Sequence, residues 1–215
     1  MNSSILPTYN KVKLSFSSGK GSYLITKNGK KYLDFTSGIA VNSLGHCNSY
    51  LIKALNEQSK KLWHCSNAYE IEEQEKLGKK LVKLTFADKV FFCNSGAEAV
   101  EASIKIARAY FQVKKKKKKY KIVTIKGSFH GRTLATISAS GQDKLLNGFK
   151  PAVEGFIPVP FGDHKKIEKV IDDSTAAIMI EPILGEGGIK KIPNVCLEGL
   201  RKLCNKKKIL LIFDE

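Results

Sequence analysis

The stretch "VFFCNSGAEAVEASIKIARAYF", Val90–Phe111, changes its hydrophobic period in the middle. Val90–Cys93 is an unbroken apolar run, the mark of a strand buried on both faces, and the strand is expected over Lys89–Asn94. From Gly96 onward the apolar residues Val100, Ile104, Ala107 and Phe111 recur at helical spacing and predict one buried stripe. Between the two patterns stands Asn94-Ser95-Gly96-Ala97. Ser95 is placed as an N-cap, and Glu98 three residues later completes a capping box. A strand running straight into a capped helix is a building unit of α/β proteins. The same turn has a second capacity. The first N–H groups of a helix have no partner inside it, and its dipole favours negative charge there. The Gly96 and Ala97 amides and the Ser95 hydroxyl can therefore hold an anion such as a phosphate, and Gly96 lets the backbone come close to it. Many helices begin this way, so the turn by itself does not name a ligand.

Working outward, strands are predicted at "YKIVTIK" (120–126), "AAIMIEP" (176–182) and "ILLIFDE" (209–215), and a helix at "VCLEGLRKLCNKK" (195–207). Short apolar strands alternating with helices predict an α/β domain whose sheet is mostly parallel and flanked by helices. Ligands of such sheets gather at the C-terminal ends of the strands. Those ends read "CNSGAEA", "KGSFHGRT", "IEPILGEGG" and "IFDE". Asp214, at the last of them, offers a carboxylate suited to a cationic partner such as a protonated pyridine nitrogen. Neither GxxxxGK[ST] nor a complete GxGxxG is present, so the anion is not explained by a Walker loop or a dinucleotide fingerprint. Upstream, "GSYLITKNGKKYLDF" (21–35) reads as a hairpin with Asn28-Gly29 in a type I′ turn. A helix is expected over 48–63, capped by Asn48 or Ser49, with Leu51, Ile52, Leu55 and Leu62 on its apolar face. Another is expected from about Glu70 to Leu84. The first stretch differs in character from the rest, which suggests a division into an N-terminal lobe, 1–60, and the start of a larger domain, 61–215.

Composition narrows the function classes. The formal net charge is +17, and six of the positive charges form the run Lys114–Lys119. Such a balance fits either a basic enzyme or a polyanion binder. No nucleic-acid motif or interleaved aromatic pattern accompanies it, so a basic nucleic-acid-binding protein is the alternative of a different class. The lysine run is expected to be an exposed, mobile connector. The cysteine number, five, is odd and no CxxC occurs, which points to free thiols in a reducing compartment. The pairs His46-Cys47 and His64-Cys65 fit no common zinc spacing, and no metal is expected. No apolar stretch is long enough to span a membrane and no signal sequence is read at the N-terminus, so a cytoplasmic location is expected.

Several motifs in order carry a resemblance: "LPTYNK", "YLDFTSGIAVNSLGH", "LWHCSNAY", "NSGAEAVEASIKIAR", "SFHGRTLAT", "EPILGEGGI" and "LLIFDE". Together they resemble the acetylornithine aminotransferases of the class-III pyridoxal 5'-phosphate (PLP)-dependent family, over the whole chain. The resemblance implies the aspartate aminotransferase-like fold (fold type I), incomplete here at its C-terminus. It implies that Ser95, Gly96 and Ala97 hold the cofactor phosphate. Phe129 stacks on the pyridine ring, and Asp214 pairs with the ring nitrogen. Glu181 lies near the cofactor. Arg132 binds a substrate carboxylate, and Glu186 pairs with a downstream arginine. The Schiff-base lysine of the family also lies downstream of the "DE" motif, so the chain is expected to be the N-terminal half of an enzyme and inactive alone. The implied reaction is transamination of N-acetylornithine with 2-oxoglutarate in arginine biosynthesis, by a homodimer in the full-length protein. Ornithine, 4-aminobutyrate and succinyl-diaminopimelate are the alternative amino donors within the class.

Overall fold

The computed structural model describes residues 4–115, 118–162 and 164–215. The chain divides into two compact units, the first ending at Leu84 and the second comprising Thr85–Glu215. The boundary therefore lies beyond the helix at 72–84 rather than near residue 60.

In the first unit β1 (Phe16–Lys20), β2 (Tyr23–Thr26) and β3 (Lys31–Leu33) form an antiparallel sheet in that order. The β2–β3 hairpin is present, but its turn is not type I′. That turn needs positive φ at both central residues. Here Gly29 has φ 82° while Asn28 is not left-handed, and the Gly29 amide donates to the Thr26 carbonyl at 3.0 Å. The Asn28 side chain is bonded to the Thr26 hydroxyl instead. Helix α1 spans Ser49–Gln58, and α2 spans Glu72–Leu84. Asn48 caps α1, its side chain accepting from the Tyr50 and Leu51 amides. The helix stops short of the expected 63 because the chain folds back on itself there. Gln58 donates to the Leu62 carbonyl and the Trp63 indole to that of Ser59.

Asp34 ties this unit together. Its Oδ1 accepts from the Thr36 hydroxyl and the Thr36 and Ser37 amides, and its Oδ2 lies 2.8 Å from His46 Nε2. His46 is itself paired through its backbone with Gly21. The bond to His46, followed by that to the Thr36 hydroxyl, holds the Asp34 carboxyl down at about 2. A carboxyl lowered on folding stabilises the protein above its unfolded pKa and ceases to do so as pH falls through the folded value. The gap in thermal midpoint between the protein and its Asp34→Asn variant is thus expected to be constant above about pH 5 and to close between about pH 4 and 2. A gap that does not change over that interval shows that the carboxylate's bonds are not its source.

The second unit opens with an extended segment and then α3 (Gly96–Val113), β4 (Lys121–Ile125), α4 (Leu134–Ala139) and α5 (Asp143–Leu146). There follow β5 (Phe156–Val159), α6 (His164–Val170), β6 (Thr175–Ile180), β7 (Ile183–Leu184), β8 (Lys190–Lys191), α7 (Asn194–Lys207) and β9 (Leu210–Phe213). The expected parallel sheet is present, with the order β5-β4-β6-β9 and every neighbouring pair parallel. The segment at Lys89–Asn94 is not a strand. A strand exists only where a neighbour supplies a ladder of N–H and C=O groups, and among the described residues none is placed beside it. Phe91 is correspondingly exposed.

Alternation along the strands builds two cores. Val123, Ile125, Ile178 and Ile180 face one side, where Ile167 of α6 and Leu200 and Cys204 of α7 cover them. Ile122, Ala177 and Met179 face the other, against Val100, Ile104 and Ala107 of α3 and Ala139 of α4. The stripe expected on α3 is therefore the one buried, Phe111 included. All six residues of β6 are buried. At about 1.5–3 kcal/mol for each large apolar side chain removed from water, this central strand is held chiefly by packing. Burial among these aliphatic groups also pushes the Cys204 thiol up to about 11, so Cys204 is core rather than nucleophile. The described ends of the basic run, Lys114 and Lys119, lie at the opposite end of the strands from their C-termini. Lys114 rests over the Tyr110 ring and Lys119 donates to the Thr175 carbonyl at 3.0 Å. These two lysines are anchored; Lys116 and Lys117 lie outside the described residues.

Candidate functional site

In a parallel sheet all C-terminal strand ends meet at one edge. Here β4 leads into Gly127–Thr133, β6 into Glu181, and β9 into Asp214. The Asp214 amide donates to the Ile180 carbonyl at 2.9 Å, so the β6–β9 pairing carries on one residue past β9 and fixes the aspartate's backbone.

Residues from distant parts of the chain hold the 128–133 segment in place. Glu181, 8% exposed, accepts the Phe129 amide on Oε2 at 2.9 Å. Asp214 Oδ2 lies 2.7 Å from His130 Nδ1. Because an ionised carboxylate only accepts, the imidazole proton of that bond sits on Nδ1. Gln142 donates to the Ser128 carbonyl at 2.9 Å. Gly131, at φ 114°, adopts a backbone that L side chains avoid, and a Cβ there would stand 2.7 Å from the Cβ of Ala97. The segment therefore presses against the first turn of α3. Two buried polar atoms of this segment, Ser128 Oγ and His130 Nε2, have no protein partner. Leaving a buried polar atom unpaired costs about 1–3 kcal/mol, which is tolerable at a site that receives a ligand.

The mouth of α3 has the expected N-cap but not the full capping box, because Glu98 bonds the amide of Asn94 rather than that of Ser95. Ser95 is the N-cap and its Oγ accepts the Glu98 amide at 3.2 Å. Glu98 reaches back to the Asn94 amide at 2.6 Å and to its side-chain amide at 3.0 Å. The bond to Ser95 Oγ consumes the Glu98 amide, and the Gly96 and Ala97 amides are left at the open end. Apart from its chain neighbours and its own helix backbone, no atom of the described residues lies within 4 Å of where a Gly96 Cβ would stand, so the mouth is open to a ligand.

Phe129 is half-buried, not a core phenylalanine, and the Arg132 guanidinium lies 5.4 Å from its ring centre. Arg132 itself is exposed. The structure thus gathers Ser95, Gly96, Ala97, Phe129, Arg132, Glu181 and Asp214 around one strand edge. Glu186 stands apart from the bonded cluster, exposed in the β7–β8 turn. Its neighbour Gly187 runs close to the Gly127 carbonyl oxygen, 3.1 Å from where a Cβ would be, so the hairpin borders the same segment. Two participants were missed in the sequence. His130 sits inside the quoted "SFHGRT", and a histidine at a strand end facing an aspartate is a signal that could have been used. Gln142 carried no signal, because only the tertiary fold brings it to Ser128.

The parallel α/β arrangement is shared with solved aminotransferase structures, and the family follows from the sequence. The chain belongs to the aminotransferase class-III family, whose profile matches residues 6–215. It is 54% identical over 213 residues to the acetylornithine aminotransferase of Mesorhizobium japonicum, covering 99% of this chain and 53% of that protein. It superimposes with a TM-score of 0.80 and 34% identity on the N-acetylornithine aminotransferase of Stenotrophomonas maltophilia, over 95% of this chain and 51% of that one. The ornithine aminotransferase of Toxoplasma gondii, crystallised with oxidised glutathione and showing partial PLP occupancy at its active site, gives a TM-score of 0.89 at 31% identity. That match covers 96% of this chain and 50% of the other. The chain spans about half the length of the curated relatives it matches.

Proposed function

We propose that the full-length protein transfers the δ-amino group of N-acetylornithine to 2-oxoglutarate in arginine biosynthesis, using PLP, as a homodimer in the cytoplasm. In this reading Thr85–Glu215 is the first part of the cofactor-binding domain. The observation that carries the proposal is the convergence of the Asp214–His130 pair and the α3 mouth, through the 128–133 segment, at one strand edge. Those residues fit PLP. The open amides of Gly96 and Ala97 with the Ser95 hydroxyl suit a phosphate. Asp214 Oδ1 makes no hydrogen bond among the described residues and suits a pyridinium N–H. The half-buried Phe129 ring suits the flat face between them. When bound, PLP would supply the electron sink for breaking the C–H bond at the carbon that bears the transferred amino group, Cδ in N-acetylornithine.

The chain's own residues orient and hold charge. His130 fixes the Asp214 carboxylate, so that the acceptor is already in place for a protonated ring nitrogen. Glu181 acts one step back: by accepting the Phe129 amide it sets the height of the ring, which makes it a positioning group rather than a cofactor contact. Arg132 offers a planar fork to a substrate carboxylate. Glu186 is left for the downstream arginine that the family resemblance implies, and the Schiff-base lysine is likewise downstream.

The test is a donor comparison with purified full-length protein and PLP, 2-oxoglutarate being the acceptor. N-acetylornithine is expected to give a kcat/KM at least about ten-fold above those of ornithine, 4-aminobutyrate and succinyl-diaminopimelate, the discrimination one well-placed polar contact supplies. A higher value for any of the other three overturns the substrate assignment. No transamination with any donor overturns the reaction.

A further inference from the structure

Ala97 and Glu101 are four residues apart on α3 and so lie on one face of it. Each touches the segment that carries Arg132, on opposite sides of the arginine. Gly131 leaves no room for a Cβ against Ala97, and the Thr133 hydroxyl donates to Glu101 Oε1. Thr133 in turn caps α4, its Oγ1 accepting the Thr136 amide at 3.3 Å. A hydroxyl has one proton, and of its two acceptors the Glu101 carboxylate lies nearer than Thr136 Oγ1 at 3.1 Å. Arg132 is thus held at both neighbours against the first two turns of α3, with its own side chain exposed.

We propose that Glu101 is a positioning residue for substrate carboxylate binding, acting through Thr133 on Arg132. The helix whose mouth suits the cofactor phosphate then also sets the place of the carboxylate-binding arginine. Cofactor and substrate share one rigid support, and the distance between the two anion sites is fixed by one turn of α3. This rests on the reading of Arg132 given above.

The experiment uses full-length protein loaded with PLP and has two readouts: the dissociation constant of glutarate, a dicarboxylate that cannot react, and KM against kcat for 2-oxoglutarate. Glu101→Ala is expected to weaken glutarate and raise KM roughly ten-fold, the effect of disturbing one charge-assisted contact, with kcat and the cofactor spectrum little changed. Glu101→Gln keeps an acceptor for the Thr133 hydroxyl and is expected to restore most of the binding. The double variant Glu101→Ala/Arg132→Lys is expected to bind glutarate no more weakly than Arg132→Lys alone, because both act on one contact. If Glu101→Ala does not fold, Glu101→Met keeps the length without the acceptor and takes its place. Loss of thermal stability with unchanged glutarate binding overturns the inference, as does a fully additive double variant. If Arg132→Lys itself leaves glutarate binding unchanged, the substrate-site reading is wrong and the inference falls with it. If only the Glu101 variants are silent, the inference alone is wrong.

Discussion

Asp214→Asn in the full-length protein is expected to slow turnover roughly ten- to a hundred-fold while the cofactor remains bound. Asparagine occupies the same volume and can still accept from His130 Nδ1. Its amide then presents an N–H₂ toward the ring nitrogen, where the carboxylate presented an acceptor. A donor cannot stabilise a pyridinium, so the charge-assisted bond is lost, at a cost of about 1.5–3 kcal/mol. The loss falls on proton removal from the carbon that bears the amino group, because that step puts most demand on the ring as electron sink. Phosphate binding at the α3 mouth is untouched, so the affinity for PLP changes less than the rate. Single-turnover measurement of the half-reaction, alongside the cofactor spectrum, separates the two. An unchanged half-reaction rate removes Asp214 from the site.

Arg132→Lys is expected to lower kcat/KM for both carboxylate substrates ten-fold or more, again with the cofactor spectrum intact. The substitution keeps the charge and discards the planar fork, so a bidentate pair becomes a point contact. It also shortens the reach of the group now placed over the Phe129 ring. A weakening of 1.4 kcal/mol corresponds to about ten-fold. A surface cation would not notice the change, since lysine serves equally well there. Steady-state kinetics with both substrates decide it: unchanged values make Arg132 a surface residue.

The layered sheet could be read from the sequence because burial on both faces leaves strands such as Thr175–Ile180 almost wholly apolar, and because α3 has to bury a single stripe. β5 could not. It contains Pro158 and is followed by Pro160, and proline is tolerated there because β5 lies at the end of the strand order, where one side of its ladder has no partner among the described residues. Lys89–Asn94 misled for the opposite reason: its composition is that of a strand, but a strand also needs a neighbour. The helices α4, α5 and α6 are too short to show a period. In the site, the capped mouth of α3 was legible because a cap is a local pattern. The bonds that Glu181 and His130 make were not, because each reaches a residue far away in the sequence, although His130's place at a strand end was visible.

That remoteness has a kinetic side. His130 and Asp214 are 84 residues apart, and Phe129 and Glu181 are 52 apart. Closing loops of that size costs entropy that has to be met before their contacts give anything back. The α3 helix and its cap can form early from neighbours in the chain. The strand-edge site waits until β6 has docked on β4 and β9 on β6. Within this chain the strand-edge site is expected to form after those dockings, and a ligand that needs Asp214 selects chains in which β9 has docked on β6. Mutations that slow the docking of β9 would delay acquisition of the cofactor without altering a single residue that touches it.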